Sequence, residues 1–209
     1  MCGISGFFAN GNITHEKYIE FLELSKNVDK RGPDSNQTIV RNGNINLILH
    51  FARLAIMDTS SKGDQPFIIN LENRTIYVMC NGEIYNYREL SIKYDLKLTS
   101  NSDCEIIPLL YKKYGMKLMT NILNEFNSEP AFVIVDIDNL SGDYKVIFST
   151  DRFGIRPLFT VSLNDELYFA SVLSALPFKD NLEADFQRFP PGNYGLFEKK
   201  NGILGKLEY

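Results

Sequence analysis

Two hydrophobic periods divide the 209-residue chain, and each predicts its own elements. GISGFFA (3–9) is an apolar run of strand length. THEKYIEFLELSKNVDK (14–30) sets Tyr18, Phe21, Leu22 and Val28 at helical spacing, with Thr14 as cap and RGPD as stop. QTIVRNGNINLILHFA then reads as two β-rich runs joined at Asn42-Gly43, a hairpin signal. RTIYVMCNG (74–82) reads as a buried strand ending in a glycine turn. NYRE (86–89) and SDCE (102–105) both have capping-box spacing. The second opens a helix, EIIPLLYKKY, with Pro108 in its tolerant first turn and Gly115 at its end.

The last third is β throughout: AFVIVDID, YKVIFSTD, IRPLFTVS and ELYFASVL, with Asn139, Gly142, Asn164 and Asp165 at the turns. FPPGNYGLF and NGILGKLEY predict a closing strand and turn, and EKK (198–200) a solvated turn. Strands with two or three helices segregated from them make an α+β domain. VIVDI is apolar on both alternating positions, so some strands are covered on both faces, as in two inner sheets with helices outside.

Composition narrows the function classes. With 44% hydrophobic and 23% charged residues the chain has material for a core, and its length fits one domain or at most two small ones. A net charge of −4 and no basic cluster speak against nucleic acid. No apolar run approaches the roughly 20 residues that span a bilayer, and no signal-peptide pattern opens the chain, so the expectation is cytoplasmic, without membrane. Three cysteines at 2, 80 and 104 make neither a disulfide framework nor a metal site. With only His15 and His50 present, a nucleophile must find its base elsewhere.

MCG at the start of the chain offers such a base. Once Met1 is removed, Cys2 carries both a thiol, of ordinary pKa about 8.5, and an α-amine, of ordinary pKa about 8. A useful fraction of that amine is neutral near pH 7, so one residue serves as nucleophile and general base. Gly3 is expected to give the backbone room beside the attacked carbonyl. Asn81 and Gly82, at the exit of a strand, supply a side-chain amide and a backbone N–H, the donors of an oxyanion hole. Arg53 lies among apolar residues and needs a carboxylate, from the protein (Asp58 is one) or from a ligand gripped bidentately. Asp103, at a helix start, is either a cap or a ligand group. Together with Glu83 these are the parts that hold a free α-amino acid at both charged ends while its side-chain carbonyl is attacked.

Nine motifs in order then resemble the class II glutamine amidotransferases, within the N-terminal-nucleophile hydrolases, and most of all the glutaminase domain of asparagine synthetases. They are MCGISGFF, RGPDS, ARLAIMD, QPF, NGEIYNYREL, SDCEII, DRFGIRPLF, FAS and FPPGNY. The resemblance implies a four-layer αββα fold, hydrolysis of glutamine to glutamate and ammonia, and no cofactor or metal. It implies Cys2 as nucleophile and base, Arg53 on the substrate carboxylate, Asn81 and Gly82 at the oxyanion, and Glu83 and Asp103 on the ammonium. RGPD is expected near the site without a catalytic role.

Departures are also present. FNSEPAF (126–132) replaces the family's Gly-(Met or Glu)-Phe-Ala-Phe, and ASVLSALPF lacks the usual acid and lysine of a partner-facing segment. Phe51 stands where a histidine is common. No Ser-Gly-Gly-x-Asp loop occurs, so residues 1–209 are expected to be a single amidotransferase domain. Three fates of the ammonia stay open: a separate synthetase subunit, the remainder of a longer synthetase of which this chain is a fragment, or free release. The alternative is an inactive glutamine-binding or interaction protein that keeps the fold.

Overall fold

In the computed structural model, residues 1–163, 166–177, 185–200 and 203–204 are described. The predicted turn at Asn164-Asp165 and most of the NGILGKLEY segment lie outside them. Strand β1 (Gly3–Ala9) leads to helix α1 (His15–Asp29), then β2 (Ser35–Arg41), β3 (Asn46–Arg53), β4 (Phe67–Asn70) and β5 (Arg74–Asn81). Helices α2 (Tyr87–Lys93) and α3 (Ile106–Tyr114) follow, and then β6 (Ala131–Asp138), β7 (Tyr144–Thr150), β8 (Phe159–Leu163) and β9 (Glu166–Ala170). Strands β10 (Asp185–Arg188), β11 (Tyr194–Lys200) and β12 (Ile203–Leu204) complete the described chain.

Two sheets form, in orders β10-β8-β9-β1-β3-β2 and β12-β11-β7-β6-β5-β4, and every paired strand in them is antiparallel. Side chains alternate between faces along a strand, so each central strand feeds two cores. Ile4 and Phe8 of β1, Leu49 and Phe51 of β3, and Tyr77 and Met79 of β5 meet between the sheets. Phe7, Ile48 and Ala52 face outward against Phe21 and Val28 of α1. Ile76, Val78 and Cys80 face outward against Ile106, Ile107 and Leu110 of α3. The result is four layers, helix–sheet–sheet–helix, and the doubly apolar β6 is buried from Ala131 to Ile137.

Local signals agree with the structure at α1, where Thr14 accepts the Lys17 N–H at 3.2 Å, and at Gly115, whose φ of +55° ends α3. Both capping boxes fail. Asn86 spends its amide on the Glu125 carbonyl and the Asn127 N–H, at 2.8 and 2.9 Å. Glu105 turns back to the N–H and hydroxyl groups of Thr99 and Ser100 instead of to Ser102. EKK is not a turn: it is the end of β11, with Glu198 opposite Lys145. Only Phe159 onward of IRPLFTVS is strand, and β4, β10 and the helical turns over Leu118–Glu125 were not read. Gly3 makes room for α1 rather than for a turn, since a Cβ there would lie 2.4 Å from Val28 Cγ1.

Candidate active site

The alternation that builds the inner core also carries three polar residues to its rim. Cys2 continues the inward row of Ile4 and Phe8, Arg53 that of Leu49 and Phe51, and Asn81 that of Tyr77 and Met79. Gly3 pairs with Ala52, so the next step of the ladder sets Cys2 beside Arg53. A narrow cleft opens here, lined by Cys2, Arg53, Asp58, Gly82, Glu83 and Asp103 among others. Its free volume of about 40 Å³ is room for a few water molecules. Among the described residues, no histidine lines it. His50 lies on the outer face of β3, held at 2.8 Å by both Thr38 and Asp29.

The Cys2 sulfur accepts the Leu54 N–H at 3.4 Å and faces the Leu54 carbonyl at 3.6 Å. Burial pushes its thiol pKa up, and the Leu54 contact pulls the other way. Arg31 Nε donates to the Cys2 carbonyl at 3.0 Å. In this chain the Cys2 nitrogen is a peptide amide, because Met1 precedes it.

Arg53 has found a protein carboxylate, but not that of Asp58. Its Nη1 donates to Asp64 Oδ1 at 2.6 Å and to the Ser60 carbonyl at 2.7 Å, and its Nη2 to the Asp58 carbonyl. Those bonds use three of the five guanidinium protons and leave Nε–H and one Nη2–H, the edge that grips a carboxylate in two bonds. The Asp58 carboxylate instead takes the Ser60 hydroxyl and the N–H groups of Asn101 and Ser60, which pull its pKa down to about 2.

Asn81 is fully buried, and both its amide atoms lack a hydrogen-bond partner among the described residues. Gly82 follows at φ +158°, packed so tightly that a Cβ would lie 2.5 Å from Pro130 Cα. Asp103 does not cap its own helix. Its Oδ2 accepts the Ile84 N–H at 2.6 Å, tying the 102–105 turn to the strand exit. Burial raises the pKa of Asp103, and burial followed by the nearby Asp103 charge raises that of Glu83. The six residues singled out in the sequence thus gather at one end of the sandwich: five line the cleft, and Asn81 sits between two of its lining residues, Cys80 and Gly82.

A family model described as "Glutamine amidotransferase domain" matches residues 1–198. The chain belongs to this family. Among curated relatives of this glutamine amidotransferase domain, a probable glutamine-hydrolysing asparagine synthetase of Acanthamoeba polyphaga mimivirus is 38% identical, covering 84% of this chain and 30% of its own. The glutamine-hydrolysing asparagine synthetase of Zea mays is 34% identical over 98% of this chain and 32% of its own. The domain therefore spans about a third of the length of these relatives. Among solved structures, a glutamine phosphoribosylpyrophosphate amidotransferase from B. subtilis superposes with a TM-score of 0.69 at 16% identity, over 99% of this chain and 49% of that one. An allosteric regulatory enzyme of purine biosynthesis gives 0.72 at 18%, over 99% and 48%. Both share the αββα sandwich.

Sequence reasoning missed Asp64 and Gln65, and it noted the 126–132 segment as a departure without placing it beside Glu83. Gln65 stood inside the QPF motif without a role; its Oε1 accepts the Cys80 N–H at 2.7 Å, steadying the strand one residue before Asn81. Asp64 could have been suggested only by the need of Arg53 for a nearby acid.

Proposed function

We propose that this domain hydrolyses the side-chain amide of free glutamine through a Cys2 thioester. The reading rests on one observation: a thiol, a guanidinium with a free edge and two carboxylates share one histidine-free cleft beside a buried, unpartnered amide. Excision of Met1 gives Cys2 a free α-amine, which takes the thiol proton. The thiolate attacks the amide carbon, and the oxyanion is received by Asn81 Nδ2 and the Gly82 N–H. As the tetrahedral adduct collapses, the amine returns its proton to the departing ammonia. Water then attacks the thioester and releases glutamate. The free Nε–Nη2 edge of Arg53 holds the substrate α-carboxylate, and Glu83 and Asp103 its ammonium. The exposed Ile56 and Met57 side chains wall the small cleft.

The length of the relatives supports a further step, transfer of the ammonia to a synthetase part or subunit, and a cytoplasmic setting accords with the absence, among the described residues, of any helix long and apolar enough to cross a membrane. The test compares a Met1-free sample with its Cys2→Ala variant. The first should release glutamate from glutamine and the second none, and undiminished release by the alanine variant would refute the reading.

A further inference from the structure

The FNSEPAF segment (126–132), where this chain departs from the family pattern, lies against the acid end of the cleft. Glu129 N–H donates to the Glu83 carbonyl at 3.0 Å, Tyr85 N–H donates to the Asn127 carbonyl at 2.9 Å, and Ile84 and Ser128 form an antiparallel bridge. Residues 127–129 are thus a short template for 83–85. Their side chains add a charge pair: Glu129 is ion-paired with Arg156, and the Glu129 carboxylate is near enough to the Tyr85 hydroxyl to raise its pKa. Both members of the pair are largely buried. One residue anchors both. Asp151 donates its N–H to the Pro130 carbonyl at 2.9 Å, and its carboxylate takes the N–H groups of Phe153 and Ile155 at 2.8 Å. Arg156 also lies against the Met1 thioether, and its Nε is buried without a partner among the described residues.

We propose that the Arg156–Glu129 ion pair is a positioning device for Glu83, fixing the acid that receives the ammonium end of the substrate. Neither residue touches the reacting amide, and the proposal rests on the glutamine reading above. The backbone bond from Glu129 sets where Glu83 stands, and the two opposite charges set how readily it ionises. Glu83 faces Asp103, Arg156, Glu129 and the chain's amino terminus, and shares the cleft with Cys2, Arg53 and Asp58. Of these, the Arg156 charge favours the Glu83 carboxylate, whereas Asp103 and Glu129 disfavour it. Removing one member of the pair should therefore shift Glu83 in the opposite direction from removing the other.

The experiment measures glutamine affinity of the Met1-free Cys2→Ala chain by calorimetry from about pH 4, near the ordinary carboxyl value, up to about pH 8. Arg156→Met should move the pH midpoint of binding upward, Arg156→Lys should restore it, and Glu129→Gln should move it downward. In the active enzyme Arg156→Met should raise KM about tenfold, with kcat changed less than about twofold, because only ammonium binding is weakened. Midpoints that stay put, or that move together, overturn the positioning role while leaving the glutamine reading intact. A parent chain that binds no glutamine at any pH overturns both. Should Arg156→Met not fold, Glu129→Gln, which keeps the side chain's size, decides alone: a midpoint that holds or rises ends the proposal.

Discussion

Asn81 carries an unusual burden for a single residue. Leaving a polar group buried without a partner costs about 1–3 kcal/mol, and among the described residues both atoms of this amide are in that state. A residue kept only for the fold would be replaced at no loss, whereas an oxyanion donor must wait unpaired and oriented. Asn81→Ala is therefore expected to lower kcat by about 10²–10³ with little change in KM, while urea unfolding shows a stability equal to or above that of the parent. An alanine variant that is less stable yet fully active would assign Asn81 to the fold. Cys2, Arg53 and Asn81 were legible because each is chemically out of place in the sequence: a thiol at a chain end, a cation among apolar residues, an amide at a strand exit. Glu129 and Arg156 were not, since an acid and a base 27 residues apart say nothing until the chain brings them together.

At the scale of elements, β5 and the segment that receives it define the site. The strand delivers Asn81 inward, and Gly82 then slides past Pro130 with no space for a methyl group. A Cβ at 2.5 Å from backbone atoms cannot be relieved by a rotamer change, so the strand exit or the 129–130 segment must shift. Gly82→Ala should lower stability by about 1–3 kcal/mol and reduce glutaminase activity more than the stability loss accounts for. The checks are a denaturant curve and kcat/KM on the folded fraction; a variant with parental activity would show that the close packing serves no purpose in the site. The two failed capping boxes belong to this scale too. Spacing alone predicts that Asn86 and Glu105 close their own helices, yet each bonds instead to a neighbouring segment that sequence spacing does not reveal.

For the whole molecule, the layer between the sheets holds both the fold and the site. Phe8 is fully buried at its centre, with ring centroids of Tyr144, Phe169 and Phe197 at 5.7, 6.0 and 6.3 Å. Phe8→Ala should cost about 3–5 kcal/mol, and activity should vanish along the same unfolding curve, because the cleft is the rim of that layer. Loss of activity well before unfolding would mean that the rim moves independently of the core.

The sequence by itself determined most of the strands and the helices α1 and α3, through hydrophobic period, and the residues that gather at the cleft, through chemistry that sits badly with their surroundings; the short β4 and β10 and the strand end at EKK, read as a turn, escaped it. The nine ordered motifs added the family and the layer order. Tertiary structure alone decided the partners. Arg53 pairs with Asp64 rather than Asp58, the Asp103 carboxylate takes the Ile84 N–H, and Glu83 feels the charges of Asp103, Arg156 and Glu129. Period and propensity act between neighbours along the chain, whereas charge and hydrogen bonding act through space over a few ångströms, so only the folded arrangement of two sheets fixes which groups meet.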